Sequence, residues 1–236
     1  MNDADTLRGA LTELRTERAQ CETPERPGLA EQIERVRRWQ ADHVAARHRD
    51  HAARHDGAAL LRFLSRSFYL EADWSELTDD PDRTVARVGR IMSDLRPLIV
   101  AARLQASADR LDRALAAALL DGRYPVTITP IGYVRAFRRV GEAAERERQL
   151  AWVGELIERL AGFADNRAAW WAFKAARAPA RGFGMGQTHV LLAEGFAALR
   201  ATRDPAEATR EALDAQRVLV RRLFGAATAG AAPPSY

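Results

Sequence analysis

Apolar positions recur along this chain three and four residues apart, the spacing of one face of an α-helix. Leu7, Leu11 and Leu14 set the stripe of a first helix over about 5–21, which Glu22-Thr-Pro-Glu-Arg-Pro27 breaks. A long second helix follows, with Pro27 near its first turn, where a missing N–H costs little. Leu29, Ile33, Val36 and Gln40 carry its stripe, Trp39 flanks it, and the pattern runs on to His55, where Asp56-Gly57 marks the stop. From Ala58 to about Leu70 the chain is apolar nearly all round, through Leu60, Leu61, Phe63, Leu64, Phe68 and Tyr69. A helix of that kind belongs at the centre of a core.

The second half reads the same way. A polar loop over 73–78 precedes Asp80-Pro81, an N-cap followed by a first helical residue. Val85, Val88, Ile91, Met92 and Leu95 give the buried face of that helix, and Pro97 is expected to end or kink it. Leu104, Leu111, Leu115 and Leu119 define another helix, stopped by Asp121-Gly122. The only β-leaning stretch, 124–130, is bounded by Pro125 and Pro130 and reads as a short extended connector. Thr129-Pro130 opens a helix that Gly141 kinks and that continues to about Phe163. An aromatic-rich helix over 166–177, a glycine-rich loop over 179–186, a helix over 187–201 and a last helix from Asp204-Pro205 to about Phe224 complete the chain. The expectation is an all-α protein, a single multi-helix domain of about eight to nine helices. Its parts are an N-terminal helix and linker over 1–26, a helical domain over 27–224 and a Gly/Ala/Pro-rich disordered tail over 225–236.

Composition changes this picture little. The 236 residues are 47% apolar and 29% charged, an ordinary globular balance with enough chain for a sizeable core. The isoelectric point near 9.8 reflects arginine. Of 36 basic residues all but Lys174 are Arg, and the net charge is only +4. That excess is too small to imply a nucleic-acid partner without a local basic cluster. An Arg- and Ala-heavy composition is also what a GC-rich genome yields. Cys21 is the single cysteine, so no intramolecular disulfide or Cys-based zinc site can form, which favours a reducing compartment. The acidic start lacks a signal pattern, and no apolar run approaches the roughly 18 residues of a membrane span. A cytoplasmic protein, not integral to a membrane, is expected.

Several segments in order carry a family likeness. Arg38-Trp39-Gln40, Arg62-Phe63-Leu64-Ser65-Arg66-Ser67-Phe68-Tyr69, Phe137-Arg138-Arg139-Val140-Gly141, Arg146-Glu147-Arg148-Gln149, Arg177-Ala178-Pro179-Ala180-Arg181 and Glu194-Gly195-Phe196 span roughly 36–200. Together they resemble the bacterial FFLEE-motif (FFLEELY-motif) family of helical proteins, which has no assigned function. The resemblance implies a helical fold and brings no chemistry. The acidic pair of the naming motif is absent here, with Arg66 and Ser67 in its place.

Two constellations are candidates for a site. The first is 166–190, which contains Arg167, Lys174, Arg177 and Arg181 and no acidic residue. Lys174 and Arg177 are neighbours on a helix, and free N–H groups at the start of the next helix favour an anion. These groups can cradle a phosphate or carboxylate, with Trp170, Trp171 and Phe173 as an aromatic wall. Equally, the aromatics can fill core while the cations complement a helix C-terminus. Gly182-Phe-Gly-Met-Gly186 has no preceding strand, as a dinucleotide loop requires. The second candidate is the stripe His48, His51 and His55, one face of a helix. It reads either as a surface or partner-facing row among arginines, or as part of a metal or haem site that lacks a third ligand of its own. Ala52 stands where a zincin needs Glu. Glu142, Glu145 and Glu147 alternate with Arg139, Arg146 and Arg148, which reads as a salt-bridged outer face.

No Glu-x-x-His pair and no G-x-S-x-G occurs. No cofactor is therefore assigned, and the leading expectation is a helical binding or scaffold protein. It would contact a protein partner, a second copy of itself or a small anionic ligand. An enzyme or a metal- or haem-binding protein with a site between helices is the alternative. Nucleic acid is not expected, and peripheral membrane contact through Trp170 and Trp171 is the weakest reading.

Overall fold

The computed structural model describes residues 2–92, 94–122, 127–175 and 177–225. Among these the structure is all-α, with no strand. The helices are α1 (Asp3–Glu22), α2 (Leu29–Arg47), α3 (Arg49–Arg54), α4 (Ala58–Arg62), a π-helical turn (Phe63–Phe68), α5 (Ser75–Thr78), α6 (Pro81–Ile91), α7 (Arg96–Asp121), α8 (Pro130–Val140), α9 (Ala143–Asp165), α10 (Arg167–Ala175), α11 (Arg177–Gly182), α12 (Gly186–Ala201) and α13 (Pro205–Gly225). Residues 123–126 of the expected connector and 226–236 of the expected tail lie outside the described residues.

α7 is the axis of the fold. Its 26 residues give a rod of about 39 Å, and α1, α2, α8 and α9 all pack against it. α1 is built into this core through Leu7, Leu11 and Leu14, none of which is exposed. One apolar cluster joins α1, α6, the first half of α7, α9 and α12. A second joins α2, the second half of α7, α8 and the end of α13. α13 closes the assembly by lying along α9 and touching α3 and α8.

Side-chain caps explain three of the helix starts. Asn2 accepts from Asp5 N, Asp80 from Arg83 N and Thr129 from Gly132 N, each satisfying an N–H that the first turn leaves open. Pro97 neither ends nor kinks the preceding helix: α6 stops at Ile91, and Pro97 sits in the first turn of α7, where proline is tolerated. Other boundaries also differ from the sequence pattern, among them the 73–78 loop, which holds α5. The second helix breaks at His48 (φ −96°, ψ 7°), so the histidine row straddles α2 and α3. The apolar helix after Ala58 widens into the π-helical turn, so its outward faces are rotated relative to a continuous α-helix. The expected 179–186 loop is shorter, because α11 runs to Gly182.

Two glycines serve close geometry. Gly141 (φ +72°) and the following Glu142 (φ +62°) form a left-handed joint that separates α8 from α9, a full break where the pattern suggested a kink. Gly195 in α12 lets the Phe63 ring sit where a side chain would otherwise be: a Cβ there would lie 2.7 Å from the ring.

Candidate functional site

A cavity of about 360 Å³ opens between α2, α3, α4, the π-helical turn, α7, α8, α9 and α13. Its volume is in the range of small-molecule sites. Most of the wall is apolar, from Leu60, Leu61, Leu64, Phe68, Leu104 and Leu150 among others. The π-helical turn aims Leu64, Ser65 and Phe68 into it, and Tyr69 follows directly.

One hydrogen-bonded set of polar groups forms the floor, apart from the His48–Gln216 pair that also lines the cavity. The Gln40 amide donates to Asp112 Oδ1 (2.7 Å) and to the Tyr69 hydroxyl (2.8 Å), and Tyr69 donates to Asp112 Oδ2 (2.8 Å). The Tyr133 hydroxyl donates to Gln40 Oε1 (2.8 Å), and Trp39 stacks on both Tyr133 and His43. Behind this floor, Arg37 donates to Asp109 Oδ1 (2.7 Å), with its Nε 3.5 Å from Asp112 Oδ2. Gln105 adds a donor to Asp109 (3.0 Å). Three helices, α2, α7 and α8, thus meet in one connected network, and Tyr69 adds a fourth contribution from the end of the π-helical turn. Its bonds hold these elements together, although Arg37 Nε and Asp109 Oδ2 stay buried in it without a hydrogen-bond partner.

The electrostatics follow from burial. Asp109 is fully buried, and loss of solvent pushes its carboxyl up to about 6, against the pull of Arg37. Burial raises Asp112 as well, opposed by Arg37, Gln40 and Tyr69. Burial and the neighbouring Asp112 hold the Tyr69 phenol well above its ordinary value. Burial opposes the charge on Arg37, but Asp109 and Asp112 outweigh it and the guanidinium is held protonated more firmly than usual.

Arg146 differs from these groups in leaving two donors of one side chain open. It enters the cavity from the first turns of α9, is 9% exposed, and rests its guanidinium 3.9 Å over the Phe137 ring. Its Nε and Nη2 are buried without a hydrogen-bond partner. Burial pulls its pKa below the ordinary value, opposed by Tyr133, Asp112 and Tyr69. The salt-bridged outer face fails at two positions: Glu145 turns inward to Ser107 (2.5 Å) and bridges Arg110 and Arg148, and Arg146 faces the cavity, while Glu147 pairs with Arg217 and Arg221.

The histidines do not form the solvated row that their spacing suggested. His48 is buried, bonded to Gln216 (3.2 Å) with its pKa lowered by burial, and it lines the cavity together with His51 and His43. His55 turns instead to Glu211 (3.4 Å) on α13. No three His, Cys, Asp or Glu side chains among the described residues are grouped as a metal ion would need.

The acid-free segment lies elsewhere, across α10, α11 and the start of α12. Trp170 and Phe173 are half-buried and pack on Phe196, and Phe173 stacks on His189 (4.4 Å). Trp171 is 68% exposed. Lys174 is exposed and reaches over the Trp170 ring (5.1 Å), while Arg177 and Arg181 are exposed. The side chain of Arg167 lies outside the described residues. The start of α12 already holds an anion from its own chain. Glu76 accepts from Gln187 N (3.0 Å), Thr188 N (2.9 Å) and Thr188 Oγ1 (3.0 Å). Arg181 shares its groove with Glu71, Asp73, Glu76 and Glu194, so the surroundings are acidic although the segment is not.

Comparison with known proteins adds a family. The fold is an all-α domain with a central cavity, and the chain belongs to the family described as Domain of unknown function (DUF8198), whose model matches residues 19–229. That span includes every residue of the cavity wall. No curated protein and no solved structure matches the chain. Among the described residues no helix is long and apolar enough to cross a membrane.

Proposed function

We propose that this is a binding protein for a small, largely apolar molecule held in the cavity between α2, α7, α9 and α13. The observation that carries this reading is the cavity itself: about 360 Å³, walled by leucine and aromatic side chains, with Gln40, Tyr69, Asp112 and Tyr133 joined by hydrogen bonds in its floor. That distribution orients a ligand as well as burying it. The reading requires no turnover. Four of the segments that resemble the FFLEE-motif family supply part of this wall, through Trp39, Gln40, Phe68, Tyr69, Phe137, Arg146 and Gln149. The test is binding of an uncharged apolar dye, followed by its fluorescence, to the full chain and to Ala108→Phe. Ala108 lines the cavity from α7, so the added ring fills the space. Saturable binding that the substitution abolishes, with circular dichroism unchanged, supports the reading. Binding that ignores the substitution removes it.

A second reading rests on Trp171, whose indole is the most exposed of the large apolar side chains among the described residues, with Lys174 over its ring. It is contact with an anionic membrane surface. Co-sedimentation with phosphatidylglycerol vesicles, lost in Trp171→Ala and absent with phosphatidylcholine alone, is the expected result. No co-sedimentation removes it.

A further inference from the structure

We infer that the cavity takes a monocarboxylic acid with a hydrocarbon body of about a dozen carbons, its carboxylate seated on the Nε–Nη2 edge of Arg146. This rests on the proposed binding role and names the ligand class for it. Nε and Nη2 lie on one edge of the guanidinium and point the same way, the two-pronged donor set that matches the two oxygens of a carboxylate. Both are buried and unpartnered. A buried donor left open is costly, so two side by side point to an acceptor that the chain itself does not provide. The Phe137 ring beneath the guanidinium holds its plane, so the fork is set before a ligand arrives.

The neighbouring polar groups are already committed. The hydroxyls of Tyr69 and Tyr133 donate to Asp112 and Gln40, and the Gln40 amide donates to Asp112 and Tyr69. Among the described residues lining the cavity, Arg146 and His48 keep buried polar atoms without a partner, and Arg146 presents two donors side by side where His48 has a single ring nitrogen. Charge decides between acids. The Asp112 carboxylate lies in the same floor, and Arg37 behind it is engaged by Asp109 and Asp112. One free guanidinium beside one carboxylate suits a monoanion, whereas a phosphate dianion would face uncompensated repulsion. Size sets the body. An apolar cavity of about 150 Å³ accepts benzene, roughly 25 Å³ per non-hydrogen atom, so 360 Å³ corresponds to about fourteen such atoms. Dodecanoate has that size.

The experiment is calorimetric titration of the full chain at neutral pH with dodecanoate, dodecanol and dodecyl phosphate, each below its micellar range. The expected result is that dodecanoate binds at least about tenfold more tightly than either of the other two. Arg146→Gln should remove the preference for acid over alcohol. Arg146→Lys, which keeps the charge without the fork, should retain only part of it. Dodecanol binding as tightly as dodecanoate to the unaltered chain overturns the head-group assignment and leaves the cavity role standing. Tighter binding of the phosphate overturns the charge argument. If none of the three binds, or if Ala108→Phe leaves dodecanoate binding intact, the cavity role itself fails and the assignment with it. The wild-type comparison decides the matter even where an Arg146 variant does not fold.

Discussion

The Tyr69 hydroxyl donates to Asp112 Oδ2 at 2.8 Å, and this single bond ties the end of the π-helical turn to the central helix. Removing the donor leaves a buried carboxylate oxygen short of a partner. Tyr69→Phe is expected to destabilise the fold by roughly 1–3 kcal/mol, read as a lower urea midpoint at constant slope. An unchanged midpoint would show that the network does not hold the two elements together.

Asp109 gives stability a pH dependence of unusual sign. Its carboxyl titrates near 6 in the folded chain because burial outweighs Arg37, against about 3.9 in an unfolded one. The folded state therefore binds the extra proton in that window. The contribution of this group is fully present below about pH 4 and is lost as pH rises through 6. In Asp109→Asn the decline between pH 4 and 6 should shrink by about 1–3 kcal/mol, measured by denaturant unfolding across that range. A wild-type profile that rises steadily between those pH values, equally in the variant, would contradict it.

Gly195→Ala should be costly. The added methyl would meet the Phe63 ring at 2.7 Å, and that ring is packed in the core beside Phe68. Overpacking of this kind costs typically about 1–3 kcal/mol. Because Phe63 begins the π-helical turn, the same variant should also weaken whatever binds in the cavity.

Glu76 closes the first turn of α12 through three hydrogen bonds. Glu76→Ala should destabilise by roughly 1 kcal/mol, the usual worth of such a cap. It also opens the helix start, and inorganic phosphate should then raise the melting temperature of the variant more than that of the wild type.

Cys21 is buried, donates to the Asp109 carbonyl (3.3 Å), and burial pushes its thiol up to about 11. Iodoacetamide at pH 8 should label it slowly in the native chain and quickly in urea, since the thiolate is the reactive form. Equal rates would place the thiol at the surface.

Much of the fold is legible in local pattern. The stripes of α1 and α7 and the caps Asp80 and Thr129 fall where spacing and side-chain chemistry put them. The break at His48 is not legible, because no Gly or Pro marks it; the turn is set by where α3 meets α4 and α13. The cavity floor left a faint local trace. Gln40 continues the stripe of Leu29, Ile33 and Val36, and Arg146 heads the stripe of Leu150, Val153 and Ile157. A polar residue on an apolar stripe is the signal. It was masked at Arg146 by the alternating Glu and Arg around it, which look solvated. That these residues meet is a product of tertiary packing, which no single helix encodes. The 166–190 segment misdirects for the converse reason: its lack of acids is local, and Glu71, Asp73, Glu76 and Glu194 come to it from elsewhere in the chain.

The left-handed joint at Gly141 and Glu142 has a consequence for how such proteins diverge. Arg146 stands four residues into α9, and each residue advances a helix by about 100°. A single insertion or deletion at the joint forces a choice. Either Leu150, Val153 and Ile157 stay in the core and the joint is strained, or the joint relaxes and Arg146 swings out of the cavity. Under the proposed binding role, what the cavity would accept is thus tied to the length of one short connection. One small genetic event there can change ligand preference while leaving every helix intact.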